Sequence, residues 1–156
     1  MSDQPVGFEA EEIRTGEETR NARLKWVIVV DAALPAGRAV NAGSCVASAT
    51  AVNVAGLLAH EGVDADGSTH PGLPWAGCTI LGADVVKLRQ IRDKADRRED
   101  VFVADMPIAA QETRVYDEYV DTLATLPGGE IAYAAVSLVG PRKAVDRIVG
   151  GLKLLP

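Results

Sequence analysis

The chain has 156 residues, of which 47% are hydrophobic, and its formal net charge at pH 7 is -6. This length suits one domain with a sizeable core and is short for two, so we predict a single domain. An acidic average surface repels polyanions, which makes nucleic acid an unfavourable partner. The two cysteines form no spaced framework and no signal-peptide pattern opens the chain, so we expect a cytoplasmic protein.

The N-terminal segment is acidic and carries few large apolar side chains, namely Val6, Phe8 and Ile13. Such a segment buries too little surface to offset the entropy lost when it becomes ordered. We therefore predict that residues 1–23 form a flexible acidic arm and that residues 24–156 form a single α/β domain.

Residues 24–31 read Leu-Lys-Trp-Val-Ile-Val-Val-Asp, a nearly continuous apolar run that is typical of a central strand covered on both faces. A turn over residues 34–38 follows, and residues 39–59 then contain no charge. The uncharged stretch could span a bilayer by length, but its Asn, Ser, Thr and Gly residues favour a buried helix and no membrane association. Because it is apolar or small nearly all round, we predict that a second subunit covers part of it or of the neighbouring sheet edge.

The rest of the chain alternates between strand and helix patterns. A glycine- and proline-rich surface loop is predicted over residues 61–75, and further strands over 76–81, 101–104 and 131–139. Helices are predicted after the N-cap Asp84, over residues 111–126 and from Pro141 onward. Four strands that alternate with four helices indicate an α/β layered domain.

Two stretches carry a resemblance to a known family. The front runs from Val29-Val30-Asp31 through Gly37-Arg38 into the small-residue helix with Cys45. The tail reads Ala135-Val136-Ser137-Leu138-Val139-Gly140-Pro141, then a last helix and a Leu-Lys-Leu ending. Both resemble the archaeal and eukaryotic type of peptidyl-tRNA hydrolase, type II, and are closer still to its small uncharacterised bacterial relatives. The resemblance implies a three-layer α/β/α fold around a four-stranded mixed sheet with one antiparallel strand, usually in a homodimer.

The chain departs from the hydrolases at the positions that would carry their activity. That family has a basic residue, a glycine and a second lysine before the helix, and then a glutamine and a histidine within it. The corresponding positions of this sequence hold Arg38, Ala39, Val40, Ser44 and Ala47. Residues 106–109 replace the threonine-bearing turn after Asp105. Two functions follow as alternatives: a dimeric binding or regulatory module that lost the hydrolase residues, or a hydrolase acting on an acyl ester or amide such as peptidyl-tRNA.

Candidate site residues collect at the carboxyl ends of predicted strands, where open α/β sheets bind ligands. Asp31 and Asp105 lie at such ends and are candidate catalytic bases, with a turn-stabilising role as the alternative for each. A small anionic ligand is expected at the start of the uncharged helix, where free N–H groups favour an anion, with four candidate ligand-binding residues: Gly37, Arg38, Asn41 and Ser44. Pairing of Arg38 with a surface acid is the alternative.

Other residues point to no further chemistry. His60 and His70 have no carboxylate or thiol at ligand spacing, so we expect no metal, and we predict no cofactor. Cys45 lies among small apolar residues, a setting more typical of a buried hydrophobe than of a nucleophile. Gln111 and Thr113 follow Asp105 and would either line its pocket or open the next helix.

Overall fold

The computed structural model describes residues 5–156. In chain order its strands and helices are β1 (Leu24–Asp31), α1 (Ala36–Asn53), β2 (Gly62–Val63), β3 (Thr69–His70), β4 (Thr79–Ala83), α2 (Val85–Asp96), β5 (Phe102–Pro107), α3 (Ala109–Glu112), α4 (Tyr116–Thr125), β6 (Tyr133–Pro141), α5 (Arg142–Val149) and β7 (Lys153–Leu154). Short 3-10 turns cover Ala10–Glu12, Thr19–Asn21 and Gly128–Glu130. The strands β2 and β3 form a separate exposed hairpin inside the predicted loop over residues 61–75.

The main sheet has the strand order β5-β6-β1-β4-β7, so β1 is its middle strand, as predicted. Strand β1 runs parallel to β4 and antiparallel to β6, which in turn runs antiparallel to β5. The domain is therefore α/β with a mixed sheet, as expected, but the sheet has five strands rather than four. The fifth strand, β7, pairs antiparallel with β4 after Gly151, whose φ of 84° helps the chain turn back from α5.

Helices cover the two faces of the sheet unequally. On one face α2 and α5 pack side by side over the apolar side chains of β1, β4 and β6. On the other face α1 alone lies over β1, β6 and β5. On that second face, Ile80 of β4 and Leu155 after β7 are only partly covered. The result is a three-layer arrangement with an incomplete layer beside α1.

Helix α1 begins and ends earlier than the predicted range of residues 39–59. Pro35 occupies the N-cap position with φ of -56°, and the helix ends when Val54 turns to extended geometry and enters the core. Only one stripe of the helix is buried, and Val40 and Val52 are 69% and 86% exposed. The predicted burial of this helix is therefore only partly met within one chain. Within residues 5–156, no helix combines the length and apolar character needed to cross a membrane.

The segment predicted as a flexible arm packs against the domain over its described part, residues 5–23. Phe8 is buried, its ring centroid lies 4.8 Å from that of Trp75, and its N–H donates to the carbonyl of Ala55 at 2.9 Å. The prediction assumed that this segment buries too little surface to become ordered. Burial of one aromatic side chain offsets part of the entropy that is lost on ordering. Residues 1–4 lie outside the described part of the chain.

A chain of hydrogen bonds crosses the core between the sheet and α1. The indole N–H of Trp26 in β1 donates to Oγ of Ser137 in β6 at 2.8 Å. The hydroxyls of Ser137 and Thr50 lie 2.7 Å apart, and Thr50 donates to the carbonyl of Val46 at 2.7 Å. Because Thr50 has one proton, the hydroxyl of Ser137 must donate to Thr50. All these groups are buried, so the bonds fix α1 against β1 and β6.

Candidate functional site

Asp31 ends the central strand and stabilises the turn that follows it. Its Oδ1 accepts the N–H of Ala33 at 2.9 Å, and its own carbonyl accepts the N–H of Leu34 at 3.1 Å. The residue is 4% exposed and is the one buried acidic or basic residue within residues 5–156. This geometry is the turn-stabilising alternative considered for Asp31.

Asp105 lies in the edge strand β5 and pairs with Arg92 of α2. Its Oδ2 accepts a hydrogen bond from Nε of Arg92 at 3.1 Å. The same guanidinium approaches Asp96 at 3.2 Å and Asp93 at 3.9 Å, and its central carbon lies 5.9 Å from the ring centroid of Tyr133. One cation is therefore shared by three carboxylates.

The two candidate catalytic acids do not share one site. Strand β6 lies between β1 and β5, and Val136 of β6 is paired with Asp105 on one side and with Val29 on the other. Asp31 is two residues beyond that level, so the strand spacing puts roughly 12 Å between the two Cα atoms. Two carboxylates at that separation cannot act together on one small reacting group unless a substrate spans them.

The candidate ligand-binding residues divide between the two flanks of α1. Arg38 donates from Nε to the amide oxygen of Gln111 at 3.2 Å, while the amide nitrogen of Gln111 donates to the carbonyl of Arg38 at 2.9 Å and to Asn41 at 3.1 Å. Gly37 lies in the first turn of α1 beside open space. Ser44 donates to the carbonyl of Val40 at 2.8 Å and belongs to the opposite flank. Arg38 and Asn41 thus hold α3 against α1.

A pocket of about 420 Å³ lies on the outer side of β5, and we call it the edge pocket. Its lining combines apolar groups with a thiol, a carboxylate, a guanidinium and two phenols: Cys45, Val46, Asp105, Met106, Ala110, Thr113, Arg114, Val115, Tyr116 and Tyr119. Thr113 lines it, as one of its two sequence interpretations proposed. Neither Tyr116 nor Tyr119 was predicted from the sequence as a site residue. Their spacing of three residues in the first turn of α4 places both rings at the pocket.

The two tyrosines form an aromatic wall of the edge pocket. Their ring centroids are 5.6 Å apart with an interplanar angle of 71°, an edge-to-face pair. Burial raises the pKa of Tyr119, and the nearby carboxylate of Asp105 raises it further. Burial and Asp105 also raise the pKa of Tyr133 beneath Arg92. The phenols of Tyr119 and Tyr133 therefore stay protonated at neutral pH.

A second concave surface lies on the opposite flank of α1, and we call it the sheet-face groove. Its volume is about 530 Å³, and its lining is almost wholly apolar: Trp26, Ile28, Val30, Ala39, Val40, Gly43, Ser44, Ala47, Pro74, Cys78, Ile80 and Leu155. None of these residues carries a full charge. The groove occupies the place where a second helix would complete the layer beside α1.

The described residues contain no cluster of metal-binding side chains, and their two cysteines differ in exposure. Within the described residues, no group of three or more His, Cys, Asp or Glu side chains could hold a metal ion. Cys45 is exposed at the edge pocket, contrary to the buried setting that its neighbours suggested. Burial raises the pKa of Cys78 in the sheet-face groove to about 12, which keeps that thiol protonated.

Comparison with known proteins finds a solved structure with a similar fold. A solved structure of the protein of unknown function Atu0240 from Agrobacterium tumefaciens strain C58 aligns with a TM-score of 0.75 and 17% sequence identity, covering 85% of this chain and 97% of that chain. At this identity the likeness concerns the fold alone. Residues 24–156 match the family described as "Protein of unknown function (DUF2000)", and the chain belongs to that family. No curated protein matches the chain.

Proposed function

We propose that this chain is a homodimeric binding or regulatory module with a peptidyl-tRNA hydrolase II-like fold and without hydrolase activity. The observation that carries the proposal is that both candidate bases already accept hydrogen bonds within the chain. Asp31 accepts one from its own turn, and Asp105 accepts one from Arg92. In the described chain, neither carboxylate bonds to a serine, threonine, cysteine or histidine side chain that it could activate. The concave surfaces on both flanks of α1 favour binding instead.

The sheet-face groove is the proposed dimer interface. It lies beside the exposed ridge of α1 that includes Val40 and Ser44, so a two-fold axis would place the ridge of each copy in the groove of the other. The lining carries no charged residue in a chain that is 24% charged, and depletion of charge is typical of interface cores. A second copy would complete the incomplete layer of the sheet.

Sedimentation at micromolar concentration tests the interface and should give a dimer mass. Val40→Glu should give a monomer, because it would bury two carboxylates without partners. Val86→Glu is the matched control, since Val86 is 67% exposed on α2, away from the groove, and its substitution should leave the dimer intact. A wild-type monomer, or equal dissociation by both variants, contradicts this interface.

A small anionic ligand remains part of the proposal at the start of α1. The amide oxygen of Gln111 occupies the position at Nε of Arg38 that a carboxylate or phosphate oxygen would take. An anion that binds at Nε must displace this bond, so its net gain there is smaller than that of a charged hydrogen bond to a free guanidinium.

The hydrolase alternative is tested with two substrates, a model N-blocked aminoacyl-tRNA and a small N-acyl amino-acid ester. We expect no turnover of either above the uncatalysed rate. Asp105→Asn is the informative variant, because it preserves shape while removing the candidate base. Turnover by the wild type that this variant abolishes would establish the hydrolase and refute the proposed loss of chemistry.

A further inference from the structure

Strand β5 leaves one side of its backbone without hydrogen-bond partners. It is the last strand of the sheet on the side of β6, and in the described chain no backbone or side-chain group bonds to its outer edge. In an edge strand, every second residue directs its N–H and C=O outward. Half of the six residues of β5 therefore present outward carbonyls and, except for Pro107, outward N–H groups in the spacing that an extended peptide chain would match.

The edge pocket lies along this unpaired backbone. Asp105 and Met106 supply the strand, Cys45 of α1 lies on one side, and Tyr119 of α4 lies on the other. Side chains of an added strand would point alternately to these two sides, because successive residues of a strand face opposite ways. The pocket thus offers both main-chain pairing and side-chain contacts, the two components of recognition by strand addition.

The charge of this region favours a cationic side chain. Arg89, Arg92 and Arg114 supply three positive charges near the pocket, and Asp93, Asp96 and Asp105 balance them with three negative ones. The first turn of α4 adds Asp117 and Glu118. Oδ1 of Asp105 accepts no hydrogen bond from the described residues, since Arg92 bonds only to Oδ2.

The faces of Tyr116 and Tyr119 add an aromatic surface next to that carboxylate. Aromatic faces attract ammonium and guanidinium groups. A Lys or Arg side chain would then meet an unsatisfied acceptor and two π systems on the Asp105 side of β5.

We propose that the edge pocket binds an extended peptide segment of another protein, which pairs with β5 as an added strand and places a Lys or Arg side chain between Asp105 and the two tyrosines. This inference rests on the proposed binding function and names its ligand class. The edge pocket and the sheet-face groove lie on opposite flanks of α1, so dimerisation leaves β5 accessible.

The test uses the full chain and capped heptapeptides of the form acetyl-Thr-Val-Thr-X-Thr-Val-Thr-amide, with X as Lys, norleucine or Glu. Binding is followed through the backbone amide NMR signals of the protein. The Lys peptide should shift the signals of residues 102–107 and bind at least about tenfold more tightly than the Glu peptide, a difference of about 1.4 kcal/mol. Equal binding of all three peptides, or no binding below about 1 mM, overturns the inference.

Backbone pairing is tested separately by N-methylation of the Lys peptide. One version is methylated on the even-numbered residues and the other on the odd-numbered residues, so each blocks the N–H groups of one edge. One version should lose at least about tenfold in affinity while the other keeps it, because only one edge of the peptide faces β5. Equal affinities of the two versions would contradict strand addition.

Asp105→Asn should reduce the affinity for the Lys peptide by about tenfold and leave the affinity for the norleucine peptide unchanged. Asp93→Asn is the control, because Asp93 also approaches Arg92 but does not line the pocket. An inactive dimer that binds none of the peptides would refute this inference and leave the proposed function standing, whereas hydrolase turnover would refute the proposed function itself.

Discussion

Replacing Ser137 by alanine should destabilise the protein by about 2 kcal/mol. The change removes the acceptor 2.8 Å from the indole N–H of Trp26, in a buried setting where Ser137 is fully buried and Trp26 is 5% exposed. A buried donor without an acceptor costs about 1–3 kcal/mol. Thr50 also loses the hydrogen bond from Ser137 but keeps its own bond to the carbonyl of Val46, so the donor left without a partner is the indole N–H of Trp26.

The assay is urea unfolding followed by far-ultraviolet circular dichroism at one fixed protein concentration, because the stability of the proposed dimer would depend on concentration. With a slope of about 2 kcal/mol per molar urea, the midpoint should fall by about 1 M. Ser68→Ala is the control, since it makes the same change at an exposed position of the β2–β3 connection and should move stability by less than about 0.5 kcal/mol. A Ser137→Ala midpoint within about 0.25 M of the wild type would refute the reasoning.

Two further predictions concern titratable groups. The guanidinium of Arg23, followed by the backbone N–H of Glu9, lowers the pKa of Glu12 from 4.5 to about 2, so this carboxylate stabilises the folded state above pH 4.5 and loses that effect as the pH falls towards 2. At neutral pH the wild type should unfold at a higher temperature than Glu12→Gln. A difference in thermal midpoint that stays the same at about pH 2 would contradict this role of the Glu12 carboxylate. With a disulfide reagent in mild alkali, exposed Cys45 should react quickly and Cys78, whose pKa burial raises to about 12, slowly. Cys45→Ser should therefore abolish the fast phase.

The parts of the fold that the sequence predicts are those whose periodicity is local. In α2 the predicted cap holds, because Asp84 accepts the N–H of Lys87 at 2.8 Å. Of the apolar stripe that the helical spacing predicts, Leu88, Ile91 and Ala95 are buried and Val85 is half-buried. The short strand β7 and the β2–β3 hairpin are missed because two residues are too few to show alternation. The range 111–126 is two helices, since residues 113–115 leave helical geometry between α3 and α4.

The candidate site shows a different limit. The rule that ligands gather at strand ends identified Asp31 and Asp105, but only the strand order reveals that β6 separates them. Arg92 has acidic neighbours in the sequence, a pattern typical of a solvated helix face, yet it reaches across to Asp105. Partners distant in the sequence are set by topology, which local charge patterns do not encode.

The pairing of β1 with β6 also sets the order of events during synthesis. Trp26 and Ser137 are 111 residues apart in the sequence, so a ribosome must synthesise β6 before the middle strand, which pairs with β4 on its other side, has both neighbours. Until then the apolar run of β1 and the small-residue helix α1 remain without their main covering strand. Non-local contacts of this kind slow folding, and nascent chains that expose such surfaces are prone to aggregate. Fragments that end before β6 should therefore depend on chaperones to remain in solution.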